Sequence, residues 1–366
     1  MEKGTADIVK LSLPFTGGAG AAAALLGAPS AQEFRAAAGA ACLVAAAAVL
    51  AAVCLRKGRS TALTALLFFL LGALCRAAQW ELPGSPGTSA SLPERALQGF
   101  SQAISRIPFP HESSGALLRA LLTGQRDRLG ASTVKAFRAA GASHILALSG
   151  LHLGIIYLTL GRLLSFMGNS PAAWRIRSAL TVMFCCFYTV MTGAGPSITR
   201  AFLFIALSEI SRNTAFRKKE PLNIWCAALI IQLCAKPSVI SSAGFQLSYL
   251  AMLGIFVLLP ALQGWYPSAG RIAARFDPFR RLWNAMALSL SCQAFTAPVA
   301  WIHFHSFPRY FLLSNLISMP LTSALMICGL ACTGAEIMGA EPGFLIKATD
   351  RIAFWLIRSL EIIASM

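Results

Sequence analysis

The feature that most constrains the fold is a series of long apolar segments that recurs along almost the whole chain. Only 12% of the 366 residues are charged, whereas an ordinary soluble domain carries about 25%. A soluble core cannot bury a chain that is 56% hydrophobic, so the sequence predicts a polytopic membrane protein. Because backbone polar groups in lipid must be satisfied internally, we expect an all-α, polytopic transmembrane helical bundle.

About 9–10 segments are candidate spans, since a transmembrane helix needs roughly 17–25 apolar residues. They are 8–28, 36–55, 61–78, 143–161, 178–194, 198–211, 222–236, 244–262, 284–303 and 310–333. The loops between them alternate between basic, such as Arg56, Lys57 and Arg59, and poor in Lys and Arg, such as 79–112. The positive-inside rule therefore predicts a cytoplasmic N-terminus and an outward-facing 79–112.

The same pattern divides the chain into four regions. Residues 1–78 are N-terminal transmembrane helices, 79–112 is a Pro/Gly/Ser-rich outward linker, 113–335 is the main membrane domain, and 336–366 is a C-terminal amphipathic helix. Two amphipathic segments are expected at the membrane interface. The first, at 113–141, reads as two short helices joined at Thr123-Gly124-Gln125, and the second lies at 345–364. The alternative is that both simply pack over the bundle.

Polar side chains interrupt several of the apolar segments, although a charge at a helix centre costs about 2.5–3.5 kcal/mol in a membrane. Taken singly, each can be explained by close helix packing or by bonding to its own backbone. Taken together with nearby Gly and Pro breaks, they predict a shared polar cavity on a transport route. The candidates for this path are His144, Ser149, His152, Arg200, Gln246, Ser248, Gln293 and Asn315.

An enzymatic interpretation rests on Ser149 and His152, which are three residues apart and would share a helix face as nucleophile and base. However, the chain has no G-x-S-x-G turn and no obvious carboxylate within the spans to orient the histidine. His144, His152, His303 and His305 lack the spacing of known metal-binding motifs. We therefore expect no catalytic residue, metal or cofactor, and a protein that is not an enzyme.

Four sequence runs resemble the ComEC-type competence family, the inner-membrane channels of bacterial natural transformation. They are LLTGQRDRLGASTVKAFRAAGASHILALSGLHLGII at 121–156, PSITRAFLF at 196–204, FQLSYLAMLGI at 245–255 and NLISMPLTS at 315–323. The resemblance identifies 113–335 as a competence-type membrane domain. By this resemblance the motif positions include Ser149, Gly150, His152, Arg200, Gln246, Ser248 and Asn315.

The resemblance implies an integral membrane channel that carries single-stranded DNA across the cytoplasmic (inner) membrane. The implied partners are single-stranded DNA, the lipid bilayer, and a separate nuclease, DNA receptor and helicase or ATPase. An electropositive, water-lined path suits such a polyanion, and Arg200 is the cation at the membrane edge that could meet a phosphate.

The chain also departs from the family pattern. The segment 79–112 is too short for the OB-like domain of full-length relatives, and the sequence has no His/Asp cluster of a metallo-β-lactamase-like domain. Two alternatives stay open. One is a transporter of a small or anionic solute on the same membrane core, and the other is an intramembrane hydrolase that uses Ser149 and His152.

Overall fold

The computed structural model describes residues 3–26, 61–77, 92–168, 170–213, 221–266, 277–305 and 308–366. These residues form α-helices joined by turns, which confirms the predicted all-α fold. The helices are α1 Lys3–Leu26, α2 Thr61–Ala77, α3 Leu92–Arg106, α4 Glu112–Thr123, α5 Ala131–Ala139, α6 Ser143–Leu146, α7 Gly150–Leu163, α8 Pro171–Met191, α9 Pro196–Asn213, α10 Pro221–Ala235, α11 Ala243–Val257, α12 Leu259–Gly264, α13 Pro278–Phe304, α14 Phe311–Ile337 and α15 Gly343–Ala364. Short 3-10 helices lie at Leu164–Met167 and Pro237–Ser241.

Four described helical segments are long and apolar enough to cross a membrane. They are Gly150–Met167, Ala243–Gly264, Pro278–Phe304 and Phe311–Ile337. Shorter apolar helices occur at Ala65–Cys75 and Pro221–Ala235. Together with the composition, these segments make the chain a membrane protein.

The remaining candidate spans have different outcomes. Helices α1, α8 and α9 overlap the segments predicted at 8–28, 178–194 and 198–211, and whether these helices cross a membrane stays a prediction. The candidate at 36–55 lies outside the described residues.

The structure differs from two of the predicted segment boundaries. The span predicted at 143–161 is interrupted, because Ala147 is extended and α7 begins only at Gly150. Within the predicted linker at 79–112, residues 92–106 form the amphipathic helix α3, while 79–91 lie outside the described residues. Glu94 in the first turn of α3 and Arg106 in its last turn complement the helix dipole, which favours a helix here.

Helices α4 and α5 are the two short helices predicted around residues 123–125. Gly124 ends α4 with a positive φ of 78°, a conformation that glycine adopts without strain, and its N–H donates to the Ala120 carbonyl at 3.0 Å. Helix α4 is buried on most sides, since the side chains of Leu117, Leu118 and Leu121 have no exposed surface. It therefore forms part of a hydrophobic core as well as carrying polar residues.

The described helices group into two compact units. The first unit combines Met1–Pro86 with Leu203–Tyr249, and the second combines Gly87–Phe202 with Leu250–Met366. This grouping differs from the four regions predicted along the sequence, because α9 and α11 each contribute residues to both units.

In the first unit, α1 and α2 pack with their backbones in contact. A Cβ atom at Gly18 would overlap the Phe69 carbonyl oxygen, and a Cβ at Gly72 would overlap the Phe15 carbonyl oxygen. Small residues that allow such an approach are typical of helix pairs in membranes, where van der Waals packing holds helices together. This pair of reciprocal contacts fixes how α1 and α2 cross.

In the second unit, α4 is the centre of a core that includes residues of α5, α14 and α15. Two side chains cap helix ends in this core, where carbonyl groups lack partners within their own helix. The Tyr188 hydroxyl of α8 donates to the Leu122 carbonyl at 2.7 Å, and the Ser314 hydroxyl of α14 donates to the Ala140 carbonyl at 2.6 Å. Both bonds are buried and tie the long helices α8 and α14 to the short helices α4 and α5.

Candidate functional site

The beginning of α7 is organised by Ser149 and His152. Ser149 is the N-cap residue, its backbone N–H donates to His152 Nδ1 at 3.2 Å, and its Oγ lies 2.9 Å from the same nitrogen. The two residues form a capping box, a local motif that satisfies N–H groups that the helix cannot bond. The predicted proximity of Ser149 and His152 is therefore real, and its immediate role is to start the helix.

The capping box also determines where the proton of His152 lies. Because Nδ1 accepts the Ser149 N–H, the neutral ring carries its hydrogen on Nε2. The His152 side chain is fully buried, and Nε2 makes no well-aligned hydrogen bond among the described residues, although the Ile145 backbone also interacts with the ring. A buried donor without a well-formed hydrogen bond is costly, so this N–H is suited to bind an acceptor that enters the site.

Arg200 reaches the same helix end from α9. The predicted break before Arg200 is confirmed, since Gly193 and Ala194 have positive φ angles of 87° and 47° and α9 begins at Pro196. A Cβ atom at Gly150 would lie only 3.1 Å from Arg200 Nη2. The absence of a side chain at Gly150 thus gives the guanidinium group room against the first turn of α7.

These groups make the beginning of α7 electropositive. The N-terminus of a helix carries a partial positive charge, the Arg200 side chain adds a full charge, and the His152 Nε2–H adds a donor. The combination can bind an anionic group such as a phosphate or a carboxylate. His144 lies on the short helix α6, where its Nδ1 is 3.2 Å from the Gly141 carbonyl oxygen.

The other predicted path residues lie at three places. Gln293 is half-buried on α13, directly after Cys292. Asn315 lies on α14, a helix that packs against α7, and its Oδ1 is buried without a partner among the described residues. Gln246 and Ser248 belong to the first unit, where Gln246 Nε2 donates to the Ile240 carbonyl at 2.8 Å. Their roles in transport stay predictions.

Two residues that the sequence analysis missed extend the polar face of α14. Ser318 and Thr322 are fully buried, and neither hydroxyl has a hydrogen-bond partner in the described part of the chain. With Asn315 they are spaced by three and four residues and share one helix face. This spacing within an otherwise apolar helix was the available signal, and it marks α14 as a second polar element of the second unit.

A metal centre is not a feature of the described part of the chain. Its His, Cys, Asp and Glu residues include no group of three that could hold a metal ion. The polar groups at the beginning of α7 are the Ser149 hydroxyl, the His152 imidazole and the Arg200 guanidinium group.

The fold and the site together define the class of protein. It is a helical membrane protein with an electropositive helix N-terminus in its second unit. A family model described as Competence protein matches residues 121–366, which include both the capping box and Arg200. The chain belongs to the competence protein family.

Three curated relatives show how far this similarity extends. The chain is 25% identical to ComE operon protein 3 of Bacillus subtilis (strain 168) over 260 residues, or 70% of this chain and 31% of the relative. It is 27% identical to Competence protein ComA of Neisseria gonorrhoeae over 253 residues, or 66% of this chain and 34% of the relative. It is 24% identical to Uncharacterized protein YcaI of Escherichia coli (strain K12) over 264 residues, or 69% of this chain and 34% of the relative.

The chain thus spans about a third of the length of these relatives. No solved structure gives a match.

Proposed function

We propose that the chain forms a passage for one strand of DNA across the cytoplasmic membrane during natural transformation. The observation that carries this proposal is the site at the start of α7, where a buried histidine donor and Arg200 meet a helix N-terminus. Phosphate groups of a DNA strand are anions of the kind that such a site binds. Membership of the competence protein family supports DNA as the transported molecule.

The proposal includes an orientation and a set of partners. With the N-terminus in the cytoplasm, as the basic loops predict, the segment 79–112, which includes α3, faces outward. The chain carries out no reaction itself, and it acts with a separate DNA receptor, nuclease and helicase or ATPase. These expectations rest on the family and on the charge pattern of the loops.

A deletion and complementation experiment tests the proposal. In a competent host, loss of the protein is expected to stop labelled DNA from reaching the cytoplasm, while binding of DNA to the cell surface continues. Complementation with Arg200→Ala is expected to fail, because the site loses its full positive charge, while Arg351→Ala is the matched control. Arg351 is exposed on α15 and lies outside the site. Normal uptake of DNA by the deletion strain would refute the proposal.

A second candidate is a transporter of a small anionic solute. It is favoured by the small size of the α7 site, where one helix end, one arginine and one histidine could hold a single anionic group. Purified protein in lipid vesicles would then move a small anion without DNA, and Arg200→Ala would stop this movement. DNA-independent flux in vesicles, together with normal DNA uptake by the deletion strain, would favour this candidate.

An intramembrane hydrolase is the third candidate, and it rests on the 2.9 Å distance between Ser149 Oγ and His152 Nδ1. In a catalytic triad, the second ring nitrogen of the histidine donates to an orienting carboxylate. Nε2 of His152 has no such partner among the described residues. Covalent labelling of Ser149 by a serine-directed probe in the folded protein would support this candidate, and absence of labelling would remove it.

A further inference from the structure

A polar groove lies between α3 and the segment that follows α4 in the second unit. Its volume is about 400 Å³, within the range of about 300–1,000 Å³ that ligand pockets usually have. Every residue that lines it has a polar or positively charged side chain. They are Gln98, Ser101, Gln102, Ser105, Arg106, Arg119, Gln125 and Arg128.

Helix α3 supplies the polar wall because it is strongly amphipathic. Gln98, Ser101, Gln102 and Ser105 recur at intervals of three and four residues and therefore lie on one helix face. Next to this face, Ile104 is buried in the core of the second unit, and Phe100 packs against the same core. The core contact thus fixes α3 so that its polar face lines the groove.

Arg119 forms the fixed part of the groove. Its Nε donates to Ser101 Oγ at 2.7 Å and its Nη2 donates to Gln125 Oε1 at 2.7 Å. Its Nη1 pairs with Asp127 at 3.1 Å, and only 12% of the Arg119 side chain is exposed. A guanidinium group held by this many bonds does not have to lose much side-chain freedom when an anion binds beside it.

Arg106 and Arg128 supply positive charge that no carboxylate compensates. Both are exposed, and among the described residues neither forms an ion pair. Arg128 Nη1 donates only to Ser105 Oγ, at 3.2 Å. Planar guanidinium groups bind phosphate oxygens with two parallel hydrogen bonds, and the amides of Gln98 and Gln102 can add further donors.

We propose that this groove binds the phosphodiester backbone of a single-stranded DNA segment outside the membrane, an inference that rests on the proposed function. Two features favour DNA over the headgroup of an anionic lipid. None of the lining residues is apolar, so the groove offers no surface for acyl chains, and its α3 residues run from Gln98 to Arg106, so several successive phosphates can meet polar side chains along it. It also contains no aromatic side chain for base stacking, so binding is independent of base sequence.

Binding of a labelled oligothymidylate to the full chain in nanodiscs of zwitterionic lipid tests the inference. The double variant Arg106→Ala/Arg128→Ala is expected to raise the Kd roughly tenfold at low salt. It should also weaken the salt dependence: the negative slope of log K against log salt should become less steep by about 1.4, or about 0.7 for each phosphate that an arginine no longer neutralises. The matched control is Lys135→Ala/Arg138→Ala, which removes two charges from exposed positions of α5 outside the groove. It is expected to keep the affinity of the unmodified protein.

A second variant keeps the test valid if the double variant does not fold. Gln102→Glu places a negative charge in the groove and leaves all three arginines in place, and it is expected to weaken DNA binding. A mixed-sequence oligonucleotide of the same length is expected to bind like oligothymidylate. Strong preference for one base sequence would contradict backbone recognition.

The remaining outcomes separate the groove from the proposed function. If groove variants and the control bind oligothymidylate as tightly as the unmodified protein, the groove inference is overturned while DNA transport can stand. If the groove variants lose binding only to vesicles with phosphatidylglycerol and keep DNA binding, the ligand is a lipid headgroup and the inference is also overturned. If the deletion strain takes up DNA normally while groove variants still lose DNA binding, the groove stands and the transport proposal fails.

Discussion

Gly18 in the first unit and Gly150 in the second both lie where an added side chain would meet another part of the chain at short distance. The neighbour of Gly18 is the backbone carbonyl of Phe69, whereas the neighbour of Gly150 is the end of the Arg200 side chain. A backbone contact fixes the distance between two helices and serves packing. A glycine beside a flexible cation instead leaves room for a charged group at a helix N-terminus, where an anion can bind.

The largest effect is expected for Gly18→Ala. The new methyl group overlaps the Phe69 carbonyl, so α1 and α2 must separate, and the free energy of unfolding should fall by about 1–3 kcal/mol. Gly17→Ala on the same helix is the control, because its methyl group would lie at an ordinary 3.7 Å from the Phe69 ring. That variant should gain up to about 1 kcal/mol from higher helix propensity. Unfolding in mixed micelles measures both, and equal effects at the two positions would contradict backbone contact at Gly18.

The second prediction compares two replacements of His152. Glutamine is a usual residue at this position of a capping box, since its Oε1 can accept the Ser149 N–H, and it therefore keeps the cap but removes the ring Nε2–H. Alanine removes both the cap and the donor. We expect His152→Gln to unfold like the unmodified protein but to fail in DNA uptake. His152→Ala should lose about 0.5–2 kcal/mol of stability in addition to uptake. Full uptake by His152→Gln would mean that the histidine serves only as a cap.

The third prediction concerns Gly150 itself. Gly150→Ala is expected to change the free energy of unfolding by less than about 0.5 kcal/mol, because the Arg200 side chain can shift by a few tenths of an ångström. DNA uptake should nevertheless fall, since the guanidinium group moves away from the helix end. The control is Gly154→Ala in the same helix, where an added methyl group has nothing within 4 Å. Unchanged uptake with Gly150→Ala would argue against a role for this contact in transport.

The fourth prediction concerns Asp350, which lies in α15 and gives a baseline for changes outside both glycine contacts. Its carboxylate accepts hydrogen bonds from the His111 Nδ1 at 2.8 Å and from the His111 backbone N–H at 3.1 Å. Burial acts to raise the pKa of Asp350, but these hydrogen bonds outweigh it and hold the pKa below its usual value.

The pH dependence follows from the direction of this shift. A lowered pKa in the folded state adds stability that is fully present above the unfolded pKa of about 3.9 and is lost as the pH falls through the folded pKa. The effect should stay below about 1 kcal/mol, since the His111 side chain is 54% exposed. Unfolding of Asp350→Asn and the unmodified protein should therefore differ above about pH 5 and converge in acid. A constant difference at all pH values would contradict this account.

Patterns that depend on neighbours in the sequence predicted much of the fold. The low charge and the apolar segments predicted a helical membrane protein, and Gly193, Gly195 and Pro196 predicted the break before α9. Gly124 predicted the junction between α4 and α5, because glycine adopts without strain the positive φ that ends a helix. The helix α3 was not predicted, because its mixture of polar and apolar residues resembles that of a loop. Only the structure shows that its apolar face is buried in the core.

The candidate site was predicted only in part. The spacing of Ser149 and His152 indicated a contact, but the same spacing fits a catalytic pair and a capping box, and only the hydrogen bonds show that the capping box is formed. The sequence singled out Asn315, whereas Ser318 and Thr322 are ordinary hydroxyl residues that become notable because they are buried without partners among the described residues.

By itself the sequence determined the class of protein, the all-α fold and the family, because hydrophobicity, helix breaks and motif order are properties of consecutive residues. Only the tertiary structure decided that Arg200 lies against Gly150 and that Arg106, Arg119 and Arg128 share one groove. These groups come from different helices or turns, so their proximity depends on how the core packs α3, α4, α7 and α9. Charge spacing along a chain does not fix distances between elements, and those distances determine where an anion can bind.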